Sequence, residues 1–241
     1  MSKEIDNGVR RNFYGRFKGQ TLTKTQVISL HSDLKALSPG LVSLEENPER
    51  LSIDLKTRFE QNPIWLEIGF GSGEHLLHQA QENPNISLIG CEPYVNGVAS
   101  LLGKINKSGI QNISIYPGDV RDLFDVLPSE SIQKAFLLYP DPWLKRRHNR
   151  RRFITSEYLG SLARVMKAGG EFRIATDIED YFNKAIREVQ RFKFDITNNG
   201  AVNFGVPWKD WISTRYEKKA LSEKRSTFYL TFKKRVTSSS S

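Results

Sequence analysis

Acidic side chains lie at or just after the ends of several short apolar runs of this chain, at positions where carboxylates could bind a ligand. The first is Glu67, in the segment WLEIGFGSGEHLL, and Gly69, Gly71 and Gly73 follow it. Glycines between a strand and a helix permit a tight turn and let the backbone approach a ligand at the helix N-terminus. Their G-x-G-x-G spacing differs from the G-x-G-x-x-G pattern of dinucleotide binding. A carboxylate so close would repel a pyrophosphate, but it would attract a cationic amino-acid group.

Two more acids follow the next two apolar runs. Glu92 comes after SLIGC, where a carboxylate can accept hydrogen bonds from both hydroxyls of a ribose. Asp119 comes after ISIY, in the segment YPGDV, and could accept a hydrogen bond from the amino group of an adenine. Together with Glu67 and the glycines, these acids predict a slot for an adenosine that carries a positively charged amino-acid tail. S-adenosylmethionine has this shape, so the pattern favours a methyltransferase over a dehydrogenase.

Each acid also has a purely structural explanation. Asp119 could cap a helix that begins at Val120. Glu67 and Glu92 could be exposed acids at strand ends. The sequence by itself leaves these alternatives open for each residue taken alone.

A fourth acid, Asp141, lies between two prolines in the segment LLYPDPWLKRRHNRRRF. Because a proline keeps the preceding residue out of the helical region, we expect Tyr139 and Asp141 to be extended. The segment would then form a stiff lip that presents a carboxylate, with Trp143 as a flat wall for a nucleic-acid base. The alternative is a rigid turn with Trp143 packed in the core.

Positive charge is gathered in three segments around a mildly acidic body. The net charge is +9, and residues 1–20, 141–152 and 208–235 carry +3, +5 and +6, which leaves −5 for the rest. Separated basic segments favour a polyanion such as RNA, because neutralised phosphates release counterions. Six Lys or Arg residues beside a predicted reaction centre argue against a small neutral substrate, although a solvated charged face is the alternative.

The elements that must position these residues alternate along the chain. Apolar runs typical of strands alternate with segments of helical spacing, and this predicts an α/β fold with a mostly parallel, twisted sheet and helices on both faces. Two later runs, FKFDIT and STFYLTFKK, predict an antiparallel strand at one sheet edge. The strand candidates are IWLEI, SLIGC, ISIY, KAFLLY and EFRIA, and the helix candidates are HLLHQAQ, NGVASLLGKI, VRDLFDVL, SEYLGSLARVM and YFNKAIREVQRF.

We divide the chain into a basic N-terminal arm with one or two helices (1–60), one catalytic domain (61–235) and a disordered tail (236–241). The helix candidates of the arm are QVISLHSDLKAL and PERLSIDLKTRF. No run of eighteen apolar residues and no secretory signal is seen, so we expect a soluble, cytoplasmic protein that does not bind membranes. The single cysteine, Cys91, is expected to be a buried thiol. No histidine set suggests a metal site, so we expect no metal.

Six segments in this order and spacing resemble the bacterial tRNA (guanine-N7-)-methyltransferase family, within the class I S-adenosylmethionine-dependent methyltransferases. They are EIGFGSGE, GCEPYVNGV, GDV, LLYPDPWLKRRHNRRRF, ATDIEDYF and TRYEKKA. The resemblance runs from about residue 63 to 234, and PDPWxKxRHxxRR is its most specific motif. It implies a Rossmann-like class I methyltransferase fold. It also implies methyl transfer from S-adenosylmethionine to N7 of a guanosine in the tRNA variable loop.

Carried over position by position, the resemblance implies roles for individual residues. Those that contact S-adenosylmethionine, with the glycines, are Glu67, Glu92, Asp119 and Asp141, and Asp141 is also catalytic. Those that contact the tRNA are Lys145, Asp177, Thr214, Arg215, Tyr216 and Glu217. The carboxylate of Asp177 or of Glu217 could accept the two donors of the guanine Watson-Crick edge. By spacing alone, Asp177 and Thr214 could instead cap helices.

Three functional questions stay open at the level of sequence. The segment PDPW could serve a class I methyltransferase that acts on another base position, such as an exocyclic amine. The fold could also belong to an RNA-binding module without catalysis, although the complete set of acids argues against this. The partners we expect are tRNA and S-adenosylmethionine, and both a monomer and a homodimer are compatible with the sequence.

Overall fold

The structure, a computed structural model, describes residues 15–197 and 204–236. The strands in these ranges are β1 (Ile64–Ile68), β2 (Ser87–Cys91), β3 (Ile113–Tyr116), β4 (Ile132–Leu138), β5 (Met166–Thr176), β6 (Phe194–Ile196) and β7 (Phe228–Lys234). The helices are α1 (Lys24–Ala36), α2 (Leu55–Phe59), α3 (Glu74–Glu82), α4 (Val95–Ser108), α5 (Val120–Val126), α6 (Ser156–Val165), α7 (Glu179–Val189) and α8 (Arg215–Ser222). Short 3-10 helices lie at Arg146–Arg151 and Gln190–Phe192.

The strands form one sheet in the order β3-β2-β1-β4-β5-β7-β6. Strands β1 to β5 pair in parallel, and β7 runs antiparallel to both of its neighbours, β5 and β6. The predicted mostly parallel sheet with an antiparallel strand near one edge is therefore confirmed, and β6 completes that edge. Strand order reverses at β1 and β4, which is the point where open α/β sheets bind ligands beyond the carboxyl ends of their strands.

Both faces of the sheet are covered by helices, as the sequence predicted. Strands β1 and β2 are buried along their whole length, which explains why they are continuous apolar runs rather than alternating ones. On one face, the core contains Leu76 of α3 and Leu101 of α4. On the other face, it contains Leu123 of α5, Leu162 of α6 and Tyr181 of α7. Cys91 is buried at the end of β2, as expected.

Residues 15–60, the described part of the predicted arm, include segments that pack on the rest of the protein. Helix α1 packs against α4, and Val42, Ile53 and Phe59 belong to the same core cluster as the sheet. The second predicted helix is shorter than the segment PERLSIDLKTRF, because the Asp54 carboxylate caps the chain and the helix begins only at Leu55. Residues 1–14 and the tail beyond residue 236 lie outside the described residues, so the disordered tail stays a prediction.

Within residues 15–197 and 204–236, no helix is both long enough and apolar enough to cross a membrane.

Candidate functional site

A cavity of about 720 Å³ lies at the carboxyl ends of β1, β2, β3 and β4. Gly69 and Gly71 of the loop after β1 line it, and so do Glu92, Asp119 and Asp141 from the three turns that follow the other strands. The sequence predicted that acids after consecutive parallel strands would share one sheet edge. For Glu92, Asp119 and Asp141 the structure brings the side chains to one cavity.

Glu92 is held in place by two backbone amides. Its carboxylate accepts hydrogen bonds from the Gly71 amide (2.7 Å) and the Tyr94 amide (2.9 Å), and the residue is buried. Burial raises the pKa of the Glu92 carboxyl above its ordinary value, and the two amide hydrogen bonds oppose this effect only in part. A ligand hydroxyl that donated a further hydrogen bond would therefore stabilise the ionised form.

The glycine loop after β1 is closely packed against α4. A Cβ atom added at Gly97 of α4 would lie 2.2 Å from the Gly71 carbonyl oxygen, a backbone atom that cannot move aside cheaply. Gly73 is the N-cap residue before α3, with a φ of +77°, and a Cβ there would lie 2.6 Å from Leu101. Gly73 does not itself line the cavity, so among the described residues its contribution is to hold the loop against the helix.

Asp119 has a protein partner as well as a place in the cavity wall. Its carboxylate accepts hydrogen bonds from the Arg121 amide (2.9 Å) and from the Arg121 guanidinium, whose terminal nitrogen lies 2.6 Å away. The capping role that the sequence left open is therefore confirmed. The contact with an adenine amino group stays a prediction.

Glu67 lies outside the set of residues that line the cavity. Its buried carboxylate faces α3 instead, where His75 Nδ1 lies 2.7 Å from Glu67 Oε2. The neighbouring residue, Ile68, does line the cavity, because successive side chains of a strand point to opposite faces. The expectation that Glu67 contacts S-adenosylmethionine stays a prediction, whereas its position supports a role in fixing the first turn of α3.

The segment around Asp141 has an unusual backbone. The prediction that Tyr139 is extended is wrong, because its φ is +48°, and Trp143 also has a positive φ of +40°. Positive φ values are costly for residues other than glycine and persist only where the surroundings hold them. Here the Tyr139 amide donates to the Ala175 carbonyl (2.7 Å) and the Tyr139 hydroxyl donates to Glu217 (3.3 Å).

The Asp141 carboxylate is exposed to the cavity while protein surrounds it on several sides. Burial raises the pKa of Asp141, and the positive charge of Arg16 acts in the opposite direction. The charge of Asp141 also raises the pKa of Glu92, since two carboxylates that share a site disfavour each other's ionisation. A ligand that carries or develops positive charge would therefore be favoured between them.

Arg16 and Gly15 also line the cavity, and the sequence did not identify them. The residues that follow Arg16 are docked against the start of α4. There the Asn96 side chain accepts a hydrogen bond from the Gly19 amide (2.8 Å) and donates one to the Gln20 carbonyl (2.7 Å). The glycine-rich basic pattern YGRFKG was visible, but nothing local indicates where such a segment docks.

Trp143 lines the cavity beside cationic side chains and is only partly buried, so it is not a core residue. Its contact with a nucleic-acid base stays a prediction. The Arg151 guanidinium carbon lies 4.9 Å from the centre of the Trp143 ring, and His148 packs edge-on against the same ring at 5.8 Å. Lys145 and Arg150 lie close by in the chain and are exposed.

Arg152 does not belong with the exposed cations. Only 1% of its side chain is exposed, and it donates hydrogen bonds to the Pro142 carbonyl (2.8 Å) and to Asp180 (2.6 Å). The basic segment 141–152 therefore ends in a cation that is paired within the protein and does not face solvent.

Helix α8 brings part of the predicted substrate segment to the cavity. Thr214 caps the helix by accepting a hydrogen bond from the Glu217 amide (3.2 Å), which confirms the capping interpretation. Arg215 and Tyr216 line the cavity. Glu217 is buried, and its carboxylate accepts hydrogen bonds from Trp211 (2.9 and 3.0 Å), Tyr139 and Tyr229.

Asp177 follows β5 but lies outside the set of residues that line the cavity. Its carboxylate forms an ion pair with Arg225. The alternative that it caps α7 is wrong, since the N-cap residue of that helix is Ile178. Contacts of Asp177 and Glu217 with a substrate stay predictions.

The residues of the cavity fit an adenosine with a cationic tail. A buried carboxylate on two backbone amides, Glu92, can bind hydroxyl donors, and the close approach of Gly71 to Gly97 leaves backbone rather than side chain at the glycine loop. Asp141 adds negative charge near the aromatic and cationic wall formed by Trp143 and Arg151.

The fold is similar to solved methyltransferase structures. The 16S rRNA methyltransferase KamB is 16% identical, with a TM-score of 0.59 over 77% of this chain and 95% of that one. A 16S rRNA (adenine(1408)-N(1))-methyltransferase from Catenulisporales acidiphilia, solved with its cosubstrate SAM, has a TM-score of 0.55 at 15% identity and covers 75% of this chain and 90% of that one. At such low identity these likenesses show the class I methyltransferase fold alone.

Sequence comparisons are more specific. The family model described as "Putative methyltransferase" matches residues 61–230. The tRNA (guanine-N(7)-)-methyltransferase of Jannaschia sp. (strain CCS1) is 57% identical over 98% of this chain and 99% of its own length, and that of Paracoccus denitrificans is 53% identical over 98% and 100%. A third, from Agrobacterium fabrum, is 40% identical over 98% and 100%. With identities this high over nearly the whole chain, the protein belongs to the tRNA (guanine-N7-)-methyltransferase family.

Proposed function

We propose that this protein transfers the methyl group of S-adenosylmethionine to N7 of a guanosine in the variable loop of tRNA, in the cytoplasm. One observation carries the proposal: two kinds of residue line a single cavity. Glu92 and Asp119 suit an adenosine, whereas Trp143, Arg151 and Arg215 suit a base and its phosphates. Asp141 lines the same cavity.

Guanine N7 carries an in-plane lone pair and no proton, so this reaction requires no general base. When bound, S-adenosylmethionine supplies a methyl group on a positively charged sulfur. The main task of the protein is to hold the lone pair in line with that methyl group, and such positioning contributes up to about 7–11 kcal/mol. The stiff backbone around Asp141 and the wall formed by Trp143 are suited to this task.

Asp141 stabilises the positive charge that develops on the purine. Its carboxylate lies at the cavity; burial raises its pKa, and the positive charge of Arg16 partly offsets this in favour of the ionised form that such a role needs. We assign no proton transfer to it. Lys145, Arg215 and the exposed part of the basic run hold phosphates, and Tyr216 contacts the target nucleotide.

The test is methyl transfer to bulk tRNA followed by nucleoside mass spectrometry. We expect 7-methylguanosine from the wild-type protein and none from the variant Asp141→Ala, which should still bind tRNA. An N-methylated exocyclic amine in place of 7-methylguanosine would contradict the assigned position. Near-normal turnover by Asp141→Ala would remove Asp141 from catalysis, and failure of the wild-type protein to bind S-adenosylmethionine would favour an RNA-binding module.

A further inference from the structure

Arg152 is the one cation of the 145–152 run that the structure buries. Burying a guanidinium is costly unless its donors are satisfied. Two donor nitrogens of Arg152 have acceptors: Nε donates to the Pro142 carbonyl at 2.8 Å, and a terminal nitrogen donates to the Asp180 carboxylate at 2.6 Å. The guanidinium carbon also lies 5.6 Å from the ring of Tyr181. The side chain therefore ties the end of the basic 3-10 helix to the proline segment and to the start of α7.

The Pro142 carbonyl belongs to the peptide group between Pro142 and Trp143. The proline ring fixes φ of Pro142 and restricts Asp141 before it, and Trp143 after it has a φ of +40°. The Arg152 hydrogen bond restricts rotation of this peptide group, which leaves little freedom from Asp141 to Trp143. At the other end of the segment, the Tyr139 amide is bonded to β5.

Arg152 is thus connected to two parts of the cavity lining, the segment Asp141–Trp143 and the end of the basic 3-10 helix. Through Pro142 it acts on the carboxylate of Asp141, and through the backbone it continues the helix that holds Arg151 against Trp143. Its ion-pair partner, Asp180, is 72% exposed on the side chain, so the pair lies at the surface on one side only.

We propose that Arg152 is a positioning residue: by holding the Pro142–Trp143 peptide, it sets the placement of the Asp141 carboxylate and of the Trp143 ring relative to the basic 3-10 helix. This inference rests on the proposed function, in which Asp141 acts on the developing charge and Trp143 contacts the target base. Arg152 itself touches neither the methyl donor nor the tRNA.

The experiment uses the full chain with Arg152→Met and Arg152→Lys. Arg152→Met leaves Asp180 without its partner, but the Asp180 side chain is 72% exposed, so water solvates the remaining carboxylate and no uncompensated charge is buried. Since methionine fills a similar apolar volume, Arg152→Met should stay folded at the assay temperature, which a thermal melt checks. Arg152→Met removes the donor to Pro142, and Arg152→Lys cannot satisfy both acceptors with the same geometry. Since small misplacements of reacting groups can cost about 100-fold in rate, we expect kcat to fall by about that factor in both variants.

The readout separates positioning from folding. Turnover is expressed per S-adenosylmethionine-binding site, so that unfolded protein does not count, and the Kd values for S-adenosylmethionine and tRNA should stay within about threefold of wild type. Guanidinium ion, added at non-denaturing concentration to Arg152→Ala, should restore part of the lost kcat. The matched control is Arg187→Met on α7, an arginine with a 65% exposed side chain, which should leave kcat unchanged.

An unchanged kcat per binding site in Arg152→Met and Arg152→Lys would overturn the positioning role. So would a loss that appears only as weaker tRNA binding. Wild-type turnover is measured in the same assay: if the wild-type protein makes no 7-methylguanosine, the proposed function fails, whereas wild-type turnover with unimpaired Arg152 variants contradicts only this inference.

Discussion

At the scale of single residues, the three acids of the cavity are held in different ways. Glu92 accepts hydrogen bonds from two backbone amides, and Asp119 is paired with Arg121. Among the described residues, no side chain or amide donates to the Asp141 carboxylate; burial raises its pKa, and the distant charge of Arg16 opposes that rise only in part. The acid assigned to the chemical step is therefore the one with the fewest fixed partners, which leaves its carboxylate available to a substrate.

This arrangement predicts a pH-dependent effect of Asp141→Asn on stability. Burial raises the pKa of Asp141 above the value of 3.8 that an unperturbed Asp has, so the folded protein takes up this proton more readily than the unfolded chain. Stability from this group is therefore lost as pH rises from the unfolded pKa through the raised folded pKa. We expect Asp141→Asn to raise the Tm at pH 7, and we expect the gain to vanish near pH 3.5.

Asp33→Asn on α1 is a control for which the change in Tm at pH 7 should have the opposite sign. Hydrogen bonds from Ser32 and Asn106 lower the pKa of Asp33, so ionised Asp33 favours the folded state. Its replacement should lower the Tm at pH 7, with the difference shrinking as pH falls through the lowered pKa. Thermal melts of both variants and wild type between pH 3.5 and 7.5 test this pair, and parallel curves for Asp141→Asn and wild type would contradict the raised pKa.

At the scale of elements, the methyl-donor side of the cavity depends on how α4 meets the glycine loop. The Glu92 carboxylate bonds to the Gly71 amide, and the Gly71 carbonyl lies against Gly97. Helix α4 also receives the N-terminal segment at its first turn, through Val95 and Asn96. One helix start thus supports both the loop under the ligand and the segment that brings Arg16 to it.

We expect Gly97→Ala to weaken binding of S-adenosylmethionine, because its Cβ would lie 2.2 Å from the Gly71 carbonyl oxygen. Overpacking of this kind costs about 1–3 kcal/mol, which corresponds to roughly 5- to 150-fold in Kd if the loop moves. Gly103→Ala on the same helix is the control. It meets no atom within 4 Å and should instead stabilise the protein by about 0.5–1 kcal/mol. Calorimetric titration gives the Kd of each variant for S-adenosylmethionine. Equal Kd values for Gly97→Ala and Gly103→Ala would contradict the argument from packing at Gly97.

At the scale of the whole molecule, cations lie at both edges of the sheet, the one formed by the carboxyl ends of the parallel strands and the one formed by their amino ends. The cations of the 145–152 run and of α8 lie near the carboxyl ends of the strands, where the cavity opens, whereas the exposed Lys167 lies at the beginning of β5. Phosphate binding should therefore depend on charges at the first edge and not at the second.

Single charge removals test this asymmetry. Arg150→Ala should weaken tRNA binding and reduce the slope of log K against log salt by about 1, because one phosphate contact is lost. Lys167→Ala removes the same charge at the opposite edge and should leave the slope unchanged. Filter binding at several salt concentrations measures both, and equal slopes for the two variants would show that Arg150 does not touch phosphate.

Different residues of the site were predictable to different degrees. Glu92, Asp119 and Asp141 were placed correctly at one cavity, since acids after parallel strands must share an edge. Arg16 could not have been found, because it reaches the cavity through docking onto a helix some eighty residues away in the chain. Arg152 was grouped with its neighbours for a similar reason: composition shows a cation but not whether Pro142 and Asp180 surround it.

The sequence alone determined the order of strands and helices, the parallel sheet and the position of the acids at its edge, because apolar periodicity and the handedness of parallel connections are local rules. Only the tertiary structure decided which charged groups face the cavity. It turned Glu67 towards His75, enclosed Glu217 among Trp211 and two tyrosines, and buried Arg152. These outcomes depend on partners distant in the chain, whose desolvation and hydrogen bonding no local pattern encodes.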